Sequence, residues 1–563
     1  MHIVLNVDNR YKEWNWVGNN KEVYCDIDPV VEKYFNKDVV FIEDLDGKPY
    51  LVSSPTKDIT NIPGVLLITG NTYGRFSKSK LLYKCLPNDT ALPAFLIPYQ
   101  LKKTQFCKNI TNLYVTFSFH SWDDKHPIGS LQQNLGEVSD LVNFCEYKLY
   151  CKNIHHSITQ FTKQTCAIIK TKSESLWVAD ILEKHPHIED RRESDVMTID
   201  PVGSRDLDDG IGMKTISTRE IMISVYIANV SLWLDILQLW GNFSERVSTI
   251  YLPEFKRTML PSILSENMCS LLKNQERFAF TMDVLVDTQS GEILSVNFVN
   301  SLISVKENYA YEHKSLLWNP VYKQLLCVCK NINNKYAYLD AVSDSHDVVA
   351  LLMIMMNHQS ALSLKQKNNG IFRTQTFTSG PEIEAPQEIS GFIKMWKYSE
   401  SKYSINNENT GHQMIGQGLN AYTHITSPIR RLVDLLNMIQ LQHNMGLVKS
   451  ESAMTFLFNW TCQLEKINKS MKDIRRVQTD CQLLQMVETT PEHITKTHVG
   501  YLFDKASYKR DVYQYSVYLP QLKLISSVKS RGDYDQYHKT KISLYLFTGE
   551  ESIKKKVKIE LIP

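Results

Sequence analysis

Residues Thr198 to Gly210, TIDPVGSRDLDDG, constrain this chain more than any other stretch, because four aspartates crowd into one strand-to-turn segment: Asp200, Asp206, Asp208 and Asp209. Thr198 and Ile199 read as the end of a buried strand, since β-branched side chains fill a pleated surface well. Pro201 to Ser204 then turns the chain, because proline fixes its φ and glycine tolerates unusual ones. A turn here can bring Asp206, Asp208 and Asp209 back to face Asp200. Like charges held together raise each other's pKa unless a cation intervenes. An all-oxygen donor set suits magnesium or manganese. Two divalent ions would balance four carboxylates, and a metal pair about 4 Å apart suits in-line displacement at phosphorus. The plain alternative is an acidic surface turn; the strand before it and the D-x5-D-x-D-D spacing favour a metal site.

The rest of the chain limits what such a site can serve. At 563 residues there is room for about three or four domains. A composition of 43% hydrophobic and 22% charged residues is that of an ordinary folded, soluble protein. The net charge is only +2, so any surface for a polyanion must be locally basic. The eleven cysteines contain no C-x-x-C pair, and Cys327-Val-Cys329 is too tight for a zinc hook. An odd count with no leader-like start favours reduced thiols and a cytoplasmic location, with the nucleus as the alternative. No apolar stretch is read as long enough to cross a bilayer, so no membrane partner is expected.

The acidic stretch resembles the motif of the RNase II / RNase R (RNB) exoribonuclease family, whose catalytic domain carries four aspartates at this spacing. Further segments are similar to that family. Ile221 to Val230 reads as a strand and resembles its H-I-A-D-V segment, with Tyr226 and Asn229 in place of the usual His and Asp. Ser248-Thr-Ile-Tyr-Leu-Pro, Met259-Leu-Pro and Leu264 to Leu272 match its Y-L-P, M-L-P and L-S-x-x-x-C-S-L run. The resemblance implies that Tyr251 stacks on the 3′-terminal base; a core tyrosine is the alternative. Asp347 to Lys365 has helical periodicity, and Asn368-Asn-Gly370 stops it. Asn369 stands near a second family stacking position, and Phe372 reads as core. Ala421 to Leu436 resembles Y-x-H-F-T-S-P-I-R-R-x-x-D-L. Ser427 and Pro428 read locally as a helix start and anion site, with Arg430 and Arg431 in its first turn and Asp434 placed to hold Arg430. By resemblance, Arg430 contacts the reacting phosphate, Arg431 joins it in binding RNA, and Asp208 is the most sensitive aspartate. The family's later His-Arg pair is replaced by Asn437-Met438, and its supporting glutamate has no clear counterpart on a helix expected over about Glu451 to Met486; Asp473 is the nearest acid.

The N-terminal third reads as short strands between turns, among them Asp38–Ile42, Val65–Ile68, Leu92–Ile97 and Leu113–Phe117. Gly70 to Phe76 sets aromatic rings beside Arg75, which suits an OB-fold that stacks bases but equally a hairpin with core aromatics. Phe119 to Gly136 resembles the second cold-shock barrel of eukaryotic exosome-type members of the family. Too few residues precede it for their endonuclease domain, so no second nuclease site is expected. From His498 the chain returns to short β-like runs with Lys505, Lys509, Arg510, Lys523, Lys529, Arg531 and Lys554 to Lys556, resembling the family's S1-type barrel.

The expected fold class is α+β multidomain: an N-terminal segment of unclear fold (1–60), cold-shock or OB-like barrels (61–160), a central α/β RNB catalytic domain (185–490) and a C-terminal S1-like OB barrel (495–563). The family resemblance implies a hydrolytic 3′→5′ exoribonuclease that uses two Mg2+ ions, or Mn2+, held by Asp200, Asp206, Asp208 and Asp209. Its partner would be single-stranded RNA, degraded processively to nucleoside 5′-monophosphates. A monomer is expected, acting without exosome association. The rival reading is a catalytically weak or inactive RNA-binding protein on the same fold. A DNA exonuclease is disfavoured only by the resemblance.

Overall fold

A computed structural model describes residues 1–563 except 9–10, 20, 43–48, 102–110, 375–383, 400–401, 406–418, 510, 548–555 and 563. The chain forms two compact units. One comprises 156–251 and 256–472; the other comprises 1–155, 252–255 and 473–563.

The first unit is built on a closed five-stranded barrel of Glu189–Asp200, Asp209–Thr215, Glu220–Ala228, Glu276–Asp287 and Ile293–Ala310. Neighbours pair antiparallel except where the first strand meets the last in parallel, Asp200 opposite Ala310. Closure leaves no free strand edge. It also fixes which end of the barrel carries the acids: Asp200 ends one strand and Asp209 begins the next, so both sit on the same rim. The strands are rich in β-branched and aromatic residues, and Ile223, Val225, Ile227, Phe280, Met282 and Val284 are fully buried. The helices Pro320–Tyr336, Ser345–Gln366 and Leu432–Asn444 contribute to the same core. Ser345–Gln366 starts with a reciprocal capping box between Asp344 and Asp347 and stops where Asn368 and Gly370 adopt positive φ, 52° and 103°. By length and composition this helix could cross a membrane, contrary to the reading from sequence. In this fold it is a core helix, with Leu351, Leu352, Met355 and Met356 fully buried.

Three sheets make up the second unit. The first sixty residues, expected to be of unclear fold, form a five-stranded sheet from His2–Asp8 to Tyr50–Ser53 around Ile3, Leu5, Trp16 and Val40. A six-stranded sheet follows, from Ile62–Leu66 to Ile128–Glu137. Its strand Ile62–Leu66 pairs with both Leu113–Ser121 and Leu81–Pro87, which closes an OB-like ring. Tyr73 and Phe76 are exposed, so the Gly70–Phe76 rings do not form a core. The third sheet has five strands between His498–Lys509 and Lys556–Ile562. On it Lys505 lies 4.1 Å from the centre of the Tyr513 ring and Lys529 3.2 Å from that of Tyr508. Arg510, Lys554 and Lys555 lie outside the described residues. The helix expected over Glu451 to Met486 is two helices, Glu451–Thr461 and Leu464–Thr489. Asp473 on the latter is buried, 4.0 Å from Lys152.

Candidate active site

The acidic loop between the first two barrel strands is pinned from below. The Ser270 hydroxyl accepts from Leu207 N (3.0 Å) and donates to Arg205 O (2.8 Å), and Leu271 N donates to Leu207 O (3.0 Å). Ala228 N donates to Asp208 O (2.8 Å), tying the loop to the third barrel strand. Asn308 donates to Thr198 Oγ1 and Leu271 O, locking the strand end to the same segment. Buried polar groups are costly unless paired, so this set of bonds holds the loop in one shape.

Within the loop the aspartates divide into two kinds. Asp208, 2% exposed, has both oxygens occupied: Oδ1 accepts from Ile429 N (2.9 Å) and Oδ2 from Arg430 Nε (3.1 Å). Asp206 is likewise occupied, Oδ1 by Lys256 Nζ (3.0 Å) and Oδ2 by Tyr251 Oη (3.1 Å). Among the described residues no cation lies within ion-pair distance of Asp200 or Asp209. Asp200 Oδ2 is buried with no hydrogen-bond partner. Burial pushes the Asp200 carboxyl up to about 6 against the help of Thr198 and Arg430, with Asp206 adding to the rise. Burial, then the charges of Asp200 and Asp208, push Asp209 up to about 8. Asp208 rises to about 7 through burial, which Arg430 and the Ile429 N–H only partly offset. A pocket that pushes carboxyls so far toward their neutral form is short of positive charge.

Of the four aspartates expected to hold metal, two carry a protein cation in the fold. Among the described residues no three His, Cys, Asp or Glu side chains converge as a metal site. Asp206 and Asp208 have their oxygens filled by protein donors, which leaves Asp200 and Asp209.

The second motif meets the first through Asp208. Residues 428–431 do not open the helix as the Ser-Pro signal suggested; it begins at Leu432, with Arg431 at its N-cap position. The preceding residues are drawn into tertiary pairing instead: Ile429 N–H goes to Asp208, Thr249 N donates to Arg430 O (2.9 Å), and Ser248 bridges Arg431. Asp434 consequently holds Arg431 (2.8 Å), not Arg430, and also accepts from Ser427 N (2.8 Å). Arg431 thus braces the segment through a buried carboxylate. Arg430 is 44% exposed, gripped at Nε by Asp208 and at Nη2 by Ser427 Oγ (3.0 Å). A guanidinium has five N–H donors. Those that remain are free to meet an anion at the rim.

Tyr251 is 41% exposed, so it is not a core ring. It lies in a short hairpin, Ile250–Tyr251 with Lys256–Arg257, where Tyr251 is directly opposite Lys256. Lys256 also reaches Glu266 (2.7 Å), carried on a π-turn over Leu264–Met268. Sequence reasoning missed Lys256, Ser270 and Tyr311. Tyr311 follows the last barrel strand, donates its N–H to Asp200 O (3.1 Å) and stacks on His346 at 3.8 Å. Burial and then the neighbouring charges of Asp209 and Asp200 push its hydroxyl up to about 12. Asn229 and Asn437, which depart from the family pattern, are buried amides serving structure. Asn229 bonds Asn300 and Gln442, and Asn437 bonds Ile371, Thr423 and His424. Asn369 pairs with Asn444, and Phe372 is core.

Comparison with known proteins agrees with this arrangement. Residues 188–321 and 386–446 match the RNB domain, and these spans contain every aspartate of the loop, Tyr251, Lys256 and the Ser427–Arg431 segment. The probable exosome complex exonuclease RRP44 of Caenorhabditis elegans is 28% identical over 223 residues, 38% of this chain and 22% of that protein. DIS3-like exonuclease 2 of Xenopus tropicalis is 26% identical over 319 residues, 54% of this chain and 36% of that protein. The chain thus aligns with well under half the length of these relatives. Among solved structures, Mycoplasma genitalium RNase R in complex with ribose methylated single-stranded RNA aligns over 100% of both chains, with TM-score 0.68 and 15% identity. Yeast Ssd1, a pseudonuclease, aligns over 94% of this chain and 78% of that one, with TM-score 0.59 and 12% identity. At those identities the likeness is one of fold. The domain match, the barrel and the acidic loop on its rim agree, and residues 188–321 and 386–446 carry an RNB domain.

Proposed function

We propose that this chain is a divalent-metal-dependent, hydrolytic 3′→5′ exoribonuclease that degrades single-stranded RNA processively to nucleoside 5′-monophosphates. The observation that carries the reading is the pairing, on one rim, of two crowded carboxylates, Asp200 and Asp209, with an arginine fixed by a third. Asp200 and Asp209 fit a hard divalent cation such as magnesium: both are oxygen donors, Asp200 Oδ2 is buried without a partner, and both are driven toward protonation. When bound, such an ion supplies Lewis acidity and charge neutralisation at a phosphodiester.

The remaining work falls to the chain's own groups. Asp208 fixes Arg430 at Nε, so the outward N–H groups of the guanidinium are aimed before substrate arrives. Preorganised donors directed at charge that builds in the transition state act without reorganisation cost. Tyr251 offers a ring that stacks on any base, and Asp206 holds its hydroxyl, which makes the grip independent of sequence. Tyr311 stands beside Asp200 and Asp209, its N–H on Asp200 O and its ring stacked on His346. The exposed Tyr73 and Phe76 and the lysine–tyrosine pairs of the C-terminal sheet suit single-stranded RNA. The protein acts as a monomer in the cytoplasm, without exosome association.

Chromatography of the products from uniformly labelled RNA tests the reaction class. Nucleoside 5′-monophosphates released with magnesium, and lost with EDTA, are expected. Internal oligonucleotide fragments, or products from DNA at the same rate, would overturn it. The second reading, an RNA-binding protein without activity, draws on the cations already seated on Asp206 and Asp208. It predicts RNA binding with no mononucleotide release.

A further inference from the structure

The cross-strand pair Tyr251 and Lys256 reaches one carboxylate from the same hairpin. Lys256 Nζ is 3.0 Å from Asp206 Oδ1 and 2.7 Å from Glu266 Oε1, and Tyr251 Oη is 3.1 Å from Asp206 Oδ2. The lysine is 29% exposed and held between two acids, so its charge stays at the loop rather than sampling solvent. Burial works against that charge, but the bonds to Glu266 and Asp206 outweigh it and keep the ammonium above its ordinary range. Arg205, 4.0 Å from Glu266, adds a further cation on the outer side.

This changes the charge count on which a two-metal site depends. Two of the four aspartates have a protein cation: Lys256 on Asp206 and Arg430 on Asp208. Asp200 and Asp209 remain, and their combined charge is matched by a single divalent ion. A second ion at Asp206 would have to displace an ammonium at contact distance from the same oxygen.

We propose that Lys256 is a tethered cation standing in for a second metal ion: it commits Asp206 to anchoring Tyr251 and limits the pocket to one divalent ion, on Asp200 and Asp209. This rests on the nuclease reading of the pocket. Lys256 is a positioning residue, acting on metal through Asp206 and on RNA through Tyr251.

Equilibrium titration with Mn2+, read by the free-ion electron paramagnetic resonance signal, tests it without turnover. The parent protein is expected to take up a single tight ion. Lys256→Met is expected to gain a second site, tightened by about tenfold or more, because a point charge at contact distance from the same carboxylate has gone. Lys256→Arg keeps the charge and should restore the single-ion curve, which a merely structural role would not require. Lys256→Gln, which keeps a hydrogen-bond donor without charge, covers the case in which the methionine variant fails to fold, and should also gain the second site. Two tight ions in the parent, no ion in the parent, or curves for the methionine and glutamine variants that match the parent would each overturn the proposal. RNA shortening measured on the same preparations separates the two claims. One bound ion with no shortening supports Lys256's role and sinks the nuclease reading; shortening with two ions bound does the reverse.

Discussion

Asp208→Asn should remove activity while leaving the fold nearly as stable as before. The Asp208 carboxylate accepts two hydrogen bonds, from Ile429 N and Arg430 Nε. An asparagine oxygen can still accept from Ile429, but its amide NH2 would then face the Arg430 Nε–H, donor against donor. A hydrogen bond to a charged group is worth about 1.5–3 kcal/mol. Arg430 is 44% exposed, so the freed guanidinium turns to water and most of that loss is recovered. Opposing the remainder, the substitution removes a buried negative charge from a pocket that pushes Asp208 up to about 7 and Asp209 to about 8. The two terms leave a net change within roughly 1 kcal/mol, or a Tm shift of about 1–2 °C for a unit as large as 156–251 with 256–472. Catalysis has no such compensation. Arg430 loses the bond that aims it, and loss of one preorganised donor costs about 10²–10³ in kcat. Steady-state degradation of a labelled RNA, thermal unfolding by circular dichroism and RNA anisotropy measure the three quantities. A kcat within about tenfold of the parent would refute the reasoning that Asp208 acts through Arg430. So would a collapse of Tm that accounts for the lost activity.

Further outcomes follow from the same geometry. Tyr251→Ala should weaken RNA binding by about 1–3 kcal/mol, the worth of one base–aromatic stack, and lengthen the residual 5′-labelled fragment; unchanged affinity and end product would remove Tyr251 from the RNA path. Ser270→Ala leaves Leu207 N without its acceptor in a buried setting, so denaturant unfolding should show a loss of about 1–3 kcal/mol, and a neutral result would mean the loop is not pinned there. In the metal-free protein, Asp200 and Asp209 bind protons more tightly folded than unfolded. The sign is therefore that of a raised acid: their favourable contribution is complete below about pH 4 and is lost as pH rises through about 6 for Asp200 and about 8 for Asp209. Thermal unfolding in EDTA should show Tm falling across that window, with Asp209→Asn flattening the slope; an upward trend from these groups would contradict the crowding.

Much of the site could be read from the chain because its parts are local. Thr198-Ile199 before Asp200 and the turn at Pro201 fixed the acidic loop at a strand end, and the barrel puts it there. The inference that all four aspartates share metal ions failed to anticipate Lys256, since nothing in Y-L-P-E-F-K says that a two-stranded hairpin will swing its lysine onto Asp206. The helix start at Ser427-Pro428 was a sound local signal that lost to tertiary structure. One turn does form, Arg431 N donating to Ser427 O (2.9 Å), but Leu432 N then donates to Val247 O (2.9 Å) instead of continuing it, while Asp208, 221 residues away in sequence, takes the Ile429 N–H. With the helix starting at Leu432, Arg430 no longer lies a turn before Asp434, and Arg431 takes the pairing. The N-terminal sheet was legible and was missed: His2–Asp8 alternates strictly between outward residues and the buried Ile3, Leu5 and Val7, the period of a half-buried strand. Ser270 and Tyr311 carried no local signal, because their roles depend on what the barrel brings beside them.

In the proposed reaction the Asp200–Asp209 pocket and Arg430 together remove nucleotides from the 3′ end of single-stranded RNA. A time course with 5′-labelled RNA tests it most directly, run with magnesium, with EDTA, with a 3′-blocked RNA and with Asp209→Asn. Full-length RNA is expected to collapse to a short 5′-labelled product only with metal, a free 3′ end and intact Asp209. Tight RNA binding with no shortening in any lane, or shortening that persists with the 3′ end blocked, would contradict it.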